Sequence, residues 1–390
     1  MSSPAPHPSP DPGGPGRSRA LDGLRGLAAA AVVVYHSILH NDLSLIPRVL
    51  YQPLQAMPTL RDAVTKLFLI VCNGEVAVYV FFVLSGCVLR ISLQRQARES
   101  AVRLCAGFAL ARAVRLYPPV ITCMVLFYGL SQFGIPGLIR FTPWQLLQNA
   151  SLWAITMHGP SYTIQVELLA VPFILAAWLL RRRFGFPALG LCVVYGVLAH
   201  DARWMTFFLP NMQSYLLAFV AGMIAAEPKL RSLLAETPGG AWWGAFAGLV
   251  FCRTFAPPEQ STSLIAMVLA AALLVAGLLH GRRGSLHRML ERPAIQALGR
   301  VSFSLYLLNV PVLYALWGWT DGRPWVARHA LEAGLAVALV SFAITYPLAW
   351  ASERWVERPA VIAGRWLGDR VRAGGRRRGL PTPLRGIGAE

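Results

Sequence analysis

Three ionisable side chains sit inside one apolar stretch. Arg19 to His40, RALDGLRGLAAAAVVVYHSILH, is mostly Ala, Val and Leu, yet it carries Asp22, Arg25 and His36. An imidazole takes up or releases a proton near neutral pH. A guanidinium holds carboxylates or phosphates through paired hydrogen bonds. The stretch is long enough to cross a bilayer as a helix of about 20 residues. At about 100° and 1.5 Å per residue, Arg25 and His36 fall within about 20° of one another and about 16 Å apart along the axis. Asp22 lies on the same stripe to within about 40°. A charge at the centre of a membrane helix costs roughly 2.5–3.5 kcal/mol, so such groups face a bundle interior or a cavity. The plainer reading has Arg25 snorkelling, Asp22 capping and His36 hydrogen-bonding at the interface. The other has one helix face presenting a cation near one membrane surface and an imidazole near the other.

The elements that must position these groups are themselves apolar. The chain has 390 residues, 55% hydrophobic and 14% charged, with mean hydropathy +0.50. Soluble domains carry about 25% charged residues, so the chain reads as an all-α polytopic membrane protein. Ten helices are expected, near 21–40, 74–93, 116–133, 161–180, 185–200, 204–226, 240–255, 261–280, 300–319 and 330–352. The apolar piece 143–157 is too short to span and reads as interfacial or re-entrant. Residues 1–20 form a Pro/Gly/Ser-rich tail, 21–360 the membrane domain and 361–390 a basic tail. Six cysteines are scattered without a CxxC pair, so no metal site is expected.

The net charge of +18 would suggest nucleic acid in a soluble protein. Here it follows topology instead, and no nucleic acid is expected. With the N-terminus inside, 28 of the 36 Lys and Arg fall on the inner side of the ten-helix arrangement. Positive loops mark the cytoplasm, so both termini are expected there, with anionic lipid as a partner. This topology puts Arg25, Arg90, Arg112 and Arg115 near the cytoplasmic face. It puts His36, Glu75 and Glu167 in the outer third.

Seven segments, in order, carry a family resemblance. LDGLRGLAAA (21–30), with Arg25 and His36 separated by ten residues, is similar to the opening of the acyltransferase family 3 membrane proteins. GEVAVYVFFVLSGCVL (74–89), ARAVRLYP (111–118), SYTIQVE (161–167), LLAFVAGMIAA (216–226), GRVSFSLYLLNVPV (299–312) and ERWVERPA (353–360) resemble later motifs of that family. Tyr162 stands where the family usually has Trp, and Gln165 where it often has Ser. Tyr79 replaces an Asp and Asn309 a His; Glu167 is retained.

The resemblance implies an integral enzyme of the cytoplasmic (inner) membrane. It would move an acyl group, most often acetyl, from acyl-CoA to a hydroxyl of a glycan or small molecule. Acyl-CoA is then a co-substrate, and no permanently bound cofactor is implied. His36 is the expected general base, with Glu167 steadying its imidazolium or receiving the acceptor hydroxyl directly. Arg112 and Arg115, three apart on one helical face, are expected to hold CoA phosphates. Arg25 lies further up the channel, and Arg90 is either a phosphate contact or an anchor. Asp22, Tyr162 and Asn309 are expected to line the cavity. A transporter or flippase of lipid or glycan is the alternative that broken helices and buried cations also suit. A catalytically lapsed relative is a third reading.

Overall fold

The computed structural model describes residues 18–96, 100–252, 254, 261–320 and 322–373. Among them every regular element is a helix. The α-helices are α1 (Arg19–Asn41), α2 (Leu60–Val71), α3 (Gly74–Arg95), α4 (Ala101–Gln132), α5 (Pro143–Ala150), α6 (Tyr162–Leu169), α7 (Val171–Phe184), α8 (Pro187–Asp201) and α9 (Met212–Ala225). They continue with α10 (Lys229–Leu234), α11 (Ala241–Phe251), α12 (Ser261–His280), α13 (Ser285–Leu290), α14 (Pro293–Thr320), α15 (Pro324–Arg328), α16 (Ala330–Ser352) and α17 (Arg358–Arg372). Starts follow local chemistry. Asn73 caps α3 by accepting the Val76 N–H at 3.0 Å, and Thr142 with Gln145 forms a capping box on α5.

Seven helical runs among the described residues are long and apolar enough to span a membrane, and three shorter apolar helices, α8, α9 and α11, join them. Several expected boundaries move, two of them by more than ten residues. The third expected helix begins at Ala101 rather than near 116, because α4 runs unbroken through Pro118 and Pro119. The basic tail expected from 361 begins later, because α17 carries the helix on to Arg372 and packs along α4. The N-terminal tail to residue 17 and the segment from 374 lie outside the described residues.

Small residues set the closest approaches. A Cβ on Gly26 would lie 2.5 Å from the Gly299 backbone nitrogen, and one on Gly299 would collide with the Asp22 carbonyl. Without side chains between them, α1 and α14 touch backbone to backbone, as small residues allow in membrane bundles. Gly86 and Gly222 join α3 to α9 in the same way. Further along, the His40 ring stacks on Trp317 with centroids 3.5 Å apart. Contact at Gly26–Gly299 and again at His40–Trp317 makes α1 and α14 run parallel. Ten residues beyond the first contact, about 15 Å along both helices, His36 and Asn309 stand at one level.

Helix α3 runs the other way. It starts at Gly74 against the Tyr35 ring, where a Cβ would lie 2.6 Å from the ring edge. Ser85, eleven residues down α3, therefore returns to the level of Arg25, ten residues back on α1. The bundle thus has two levels, one at Arg25 and Ser85 and one at His36 and Asn309.

Gly26→Ala should force the α1–α14 backbones apart. We expect a loss of about 3 kcal/mol, the upper end for overpacking, read as a lowered Tm of the purified chain. Gly248→Ala, at a glycine with open space around it, is the control and should leave Tm unchanged.

Candidate active site

At the Arg25 level the interior is polar. Glu167 accepts hydrogen bonds from Ser85 Oγ at 2.8 Å and from Arg112 Nη2 at 2.8 Å, and Arg112 also reaches Ser85 Oγ at 3.0 Å. The helix lengths set the depth of each partner. Arg112 lies eleven residues into α4, about 17 Å from its start, and Glu167 lies a 3₁₀ turn and six α-helical residues beyond His158, about 15 Å. Glu167 therefore pairs with Arg112, not with His36, and Arg112 lies within the bundle rather than at a loop.

Arg112 and Arg115 do not share one task. Arg112 is committed to Glu167, while Arg115 makes no hydrogen bond or ion pair among the described residues. Its charged neighbours are Arg112, Glu357, Glu167 and Arg365. Glu357 is buried in a π-helical turn, Glu353–Glu357, and accepts from Ser304 Oγ at 3.1 Å. Arg25 also faces Glu357. Arg25 is held by Ser302 Oγ at 2.8 Å, by the Gly299 carbonyl at 3.1 Å and by Asp22 at 3.6 Å. Four guanidiniums, Arg25, Arg112, Arg115 and Arg365, thus stand around three carboxylates, Asp22, Glu167 and Glu357. The surplus is positive and reaches the surface at exposed Arg365, an arrangement suited to a phosphate-bearing ligand.

At the second level stands His36. It is half-buried, and neither ring nitrogen hydrogen-bonds to protein among the described residues. His40 and His158 are the titratable groups that face it. His158 is fully occupied. Its Nε2–H donates to the Leu307 carbonyl at 2.9 Å, and its Nδ1 accepts the Ser161 N–H at 3.1 Å. These bonds fix one neutral tautomer and leave His158 no lone pair to offer. Pro311 makes the bond possible. Proline has no N–H to return to the carbonyl four residues back, so the Leu307 oxygen is free for His158. Asn309 Nδ2 donates to the Leu305 and Tyr306 carbonyls at 2.9 and 2.6 Å, while its Oδ1 is buried without a partner. It is a core residue at the His36 level rather than part of an open lining.

Tyr162 does line a cavity. A space of about 450 Å³ is bounded by Trp153, Gly159, Tyr162, Gln165 and Asn211 among others. Asn211, in its wall, has a left-handed backbone, as do Leu152 next to Trp153 and Phe207 and Phe208 just before Pro210; these are the described non-glycine residues with positive φ, between 55° and 59°. Gln165 Nε2 donates to the Leu152 carbonyl at 2.8 Å and pins that turn, which gives the Ser-to-Gln departure a structural task. Strain of this kind costs about 1–3 kcal/mol per residue and clusters at functional sites. Tyr162 is tied to Tyr215 at 3.1 Å, and Tyr79 packs on the same ring.

Arg90 is an anchor. It is 4% exposed and donates to the Ala226 carbonyl at 2.7 Å, to Gln94 at 3.0 Å and to Glu227 at 2.8 Å. Burial alone would raise the Glu227 carboxyl, but the Arg181 hydrogen bond and the Arg90 charge outweigh it and hold the group below its ordinary value.

The comparisons with known proteins agree with this interior. The acyltransferase family 3 model, an acyltransferase domain, matches residues 18–354. The chain belongs to that family. It is a membrane O-acyltransferase. It is 24% identical to the O-acetyltransferase PaAT-1 of Phomopsis amygdali, over 90% of this chain and 84% of that one. No solved structure matches it.

Three residues of the acyltransferase escape the sequence reading. Glu357 was signalled by the closing E-x-P element, and Ser85 by the FFVLSG segment. His158 carried no signal beyond its place before SYTIQVE. Replacing His158 by Leu should remove both ring hydrogen bonds, leaving the Leu307 carbonyl only the Cys123 thiol at 3.4 Å and the Ser161 N–H only the residue-158 carbonyl at 3.1 Å. Each lost hydrogen bond is worth about 0.5–1.5 kcal/mol, so Tm should fall. His158→Gln, which can still donate, should recover part of the loss.

Proposed function

We propose that this enzyme carries an acyl group, most directly acetyl, from acyl-CoA on the cytoplasmic side to a hydroxyl on the outer side. One observation carries the reading: a cation-rich cluster and a hydrogen-bond-free imidazole occupy separate levels of one bundle, about 16 Å apart on α1. The excess of Lys and Arg on the side where α1 begins supports a cytoplasmic entry. Ten spans with both termini inside, in an inner membrane, accord with that excess.

In this reading Arg115, with Arg25 and Arg365 beside it, binds the phosphates of CoA. Arg112 and Glu167 hold the walls of the cluster. The pantetheine arm extends toward His36. The imidazole takes the proton of the acceptor hydroxyl as its oxygen attacks the thioester carbonyl. The C–S bond then breaks, and the leaving thiolate takes the proton back from the imidazolium. Glu167 has no place in that step. His158 positions the wall beside His36 through Leu307.

The strained cavity at Tyr162 is the acceptor pocket in this account. Its volume of about 450 Å³ supports a small molecule or the terminal unit of a glycan. The name of the fungal relative supports acetyl as the group moved. The unpaired Arg115 favours an enzyme that binds a phosphorylated donor over a transporter.

The test is transfer of labelled acetyl from acetyl-CoA in membranes, with glycan and small-molecule acceptors supplied. Wild type should label an acceptor, and His36→Ala should lose about 10²–10⁴-fold in rate. Arg115→Gln should raise the KM for acetyl-CoA about tenfold with a smaller change in kcat, the signature of lost donor binding. Transfer insensitive to His36 would remove the imidazole from the mechanism.

A further inference from the structure

The first turn of α3 carries a carboxylate, Glu75, that takes no part in the transfer step. Three contacts fix how α3 lies on α9. The Tyr79 and Tyr215 rings stand 5.3 Å apart, the Phe82 and Phe219 rings 5.1 Å apart, and Arg90 donates to the Ala226 carbonyl at 2.7 Å. In each pair the second residue lies 136 or 137 positions after the first, so the two helices run parallel and level. Glu75 extends the series. It is four residues before Tyr79 and, at helical spacing, on the face of Tyr79, Phe82 and Gly86 that α9 covers. Carried across to α9, its level is that of Asn211, which lines the Tyr162 cavity. Tyr162 and Tyr215 both have Glu75 among the titratable groups that face them.

The two phenols hold two hydroxyl hydrogens between them. One lies in the bond that joins their oxygens at 3.1 Å. The other is drawn toward the carboxylate, because a negative charge attracts the positive end of an O–H. Either order of donation gives the same result. A phenol has one hydrogen to donate and can also accept, so both hydrogens turn inside the wall and Tyr162 offers the cavity a lone pair. The charge behind the wall also repels a second anion, and a protein interior weakens that repulsion less than water does. The rest of the lining suits a ligand with both an apolar face and hydroxyls. Trp153 presents an indole plate that is 83% exposed, and Asn211 brings a carboxamide that both donates and accepts.

We propose that Glu75 is a positioning residue that sets the specificity of this cavity: acting through Tyr162, it selects an uncharged polyol that donates a hydroxyl to the Tyr162 oxygen, and it turns away acidic ones. The proposal rests on the reading of this cavity as the acceptor pocket.

The test measures binding without acetyl transfer, so it stands apart from the role of His36. The full chain is purified in octaethylene glycol dodecyl ether, a detergent without a sugar, and Tm is followed against three probes. These are methyl β-D-glucopyranoside, the corresponding glucuronate and the corresponding 2-amino-2-deoxy sugar, which are neutral, anionic and cationic. We expect the glucoside to stabilise wild type at a concentration about tenfold or more below that of the glucuronate. Glu75→Gln keeps the shape and removes the charge, so this preference should shrink to about twofold or less. Tyr162→Phe should weaken the response to the glucoside and keep the discrimination against the glucuronate. An equal preference in wild type and Glu75→Gln would overturn the proposal, as would an undiminished glucoside response in Tyr162→Phe or no glucoside response in wild type. A preference for the amino sugar that Glu75→Gln abolishes would make the cavity an ammonium site and overturn the neutral class. Acetyl transfer that depends on His36, with no sugar response here, would keep the transfer reading and end this one.

Discussion

The pair between Arg112 and Glu167 is the constraint on which the rest of the interior depends. Two charges taken out of water are stable only when each satisfies the other and the remaining lone pairs find donors. Ser85 supplies the third corner, bonding both partners. The three residues come from α4, α6 and α3, so one polar contact fixes the relative depth of three helices. Its position also divides the protein chemically. Below and beside it gather Arg25, Arg115 and Glu357. Above it, one long helical step away, His36 stands among aromatic and histidine side chains. Removing the pair would release the depth of α6 and, through the His158 turn, the wall that faces His36.

The second constraint is backbone proximity. Gly26 and Gly299 bring α1 and α14 together so closely that Arg25 reaches the Gly299 carbonyl directly. The same approach sets His36 level with the stretch of α14 that Pro311 interrupts. There the missing amide frees the Leu307 oxygen, and His158 caps it. A helix break, a capping imidazole and an unengaged imidazole thus sit at one depth for connected reasons. The strained turns at Leu152 and Asn211 extend that order to the opposite side of the His158 segment, where Tyr162 opens into its cavity.

Much of this was legible in the sequence, and the exceptions have physical causes. Arg25 and His36 share a helix, so their angle and separation follow from helical geometry alone. Composition and the order of motifs gave an all-helical membrane acyltransferase. The partner of Glu167 was not legible, because it depends on where α4 begins. The stretch 101–115 carries Arg103, Arg112 and Arg115, and Pro118 with Pro119 imitates a helix start. Read as a loop, it places Arg112 at the surface. As a helix it carries Arg112 about 17 Å inward. The two arginines, three residues apart, then meet different neighbours. His158 was invisible for another reason: its partner, the Leu307 carbonyl, is far off in sequence and is exposed only by a proline four residues beyond it. Arg90 allowed two readings from sequence, and its contacts with Ala226 and Glu227 were not legible there.

The most direct test of the account is a double-mutant cycle between Arg112 and Glu167, measured on thermal unfolding of the purified chain. Arg112→Gln and Glu167→Gln should each cost about 3–5 kcal/mol, because each leaves a buried charge behind. The double variant should lose clearly less than the sum, giving a coupling of at least about 1.5 kcal/mol. Losses that add to within about 0.5 kcal/mol would mean that the two side chains do not hold the interior together, and the two-level account of the site would fall with them.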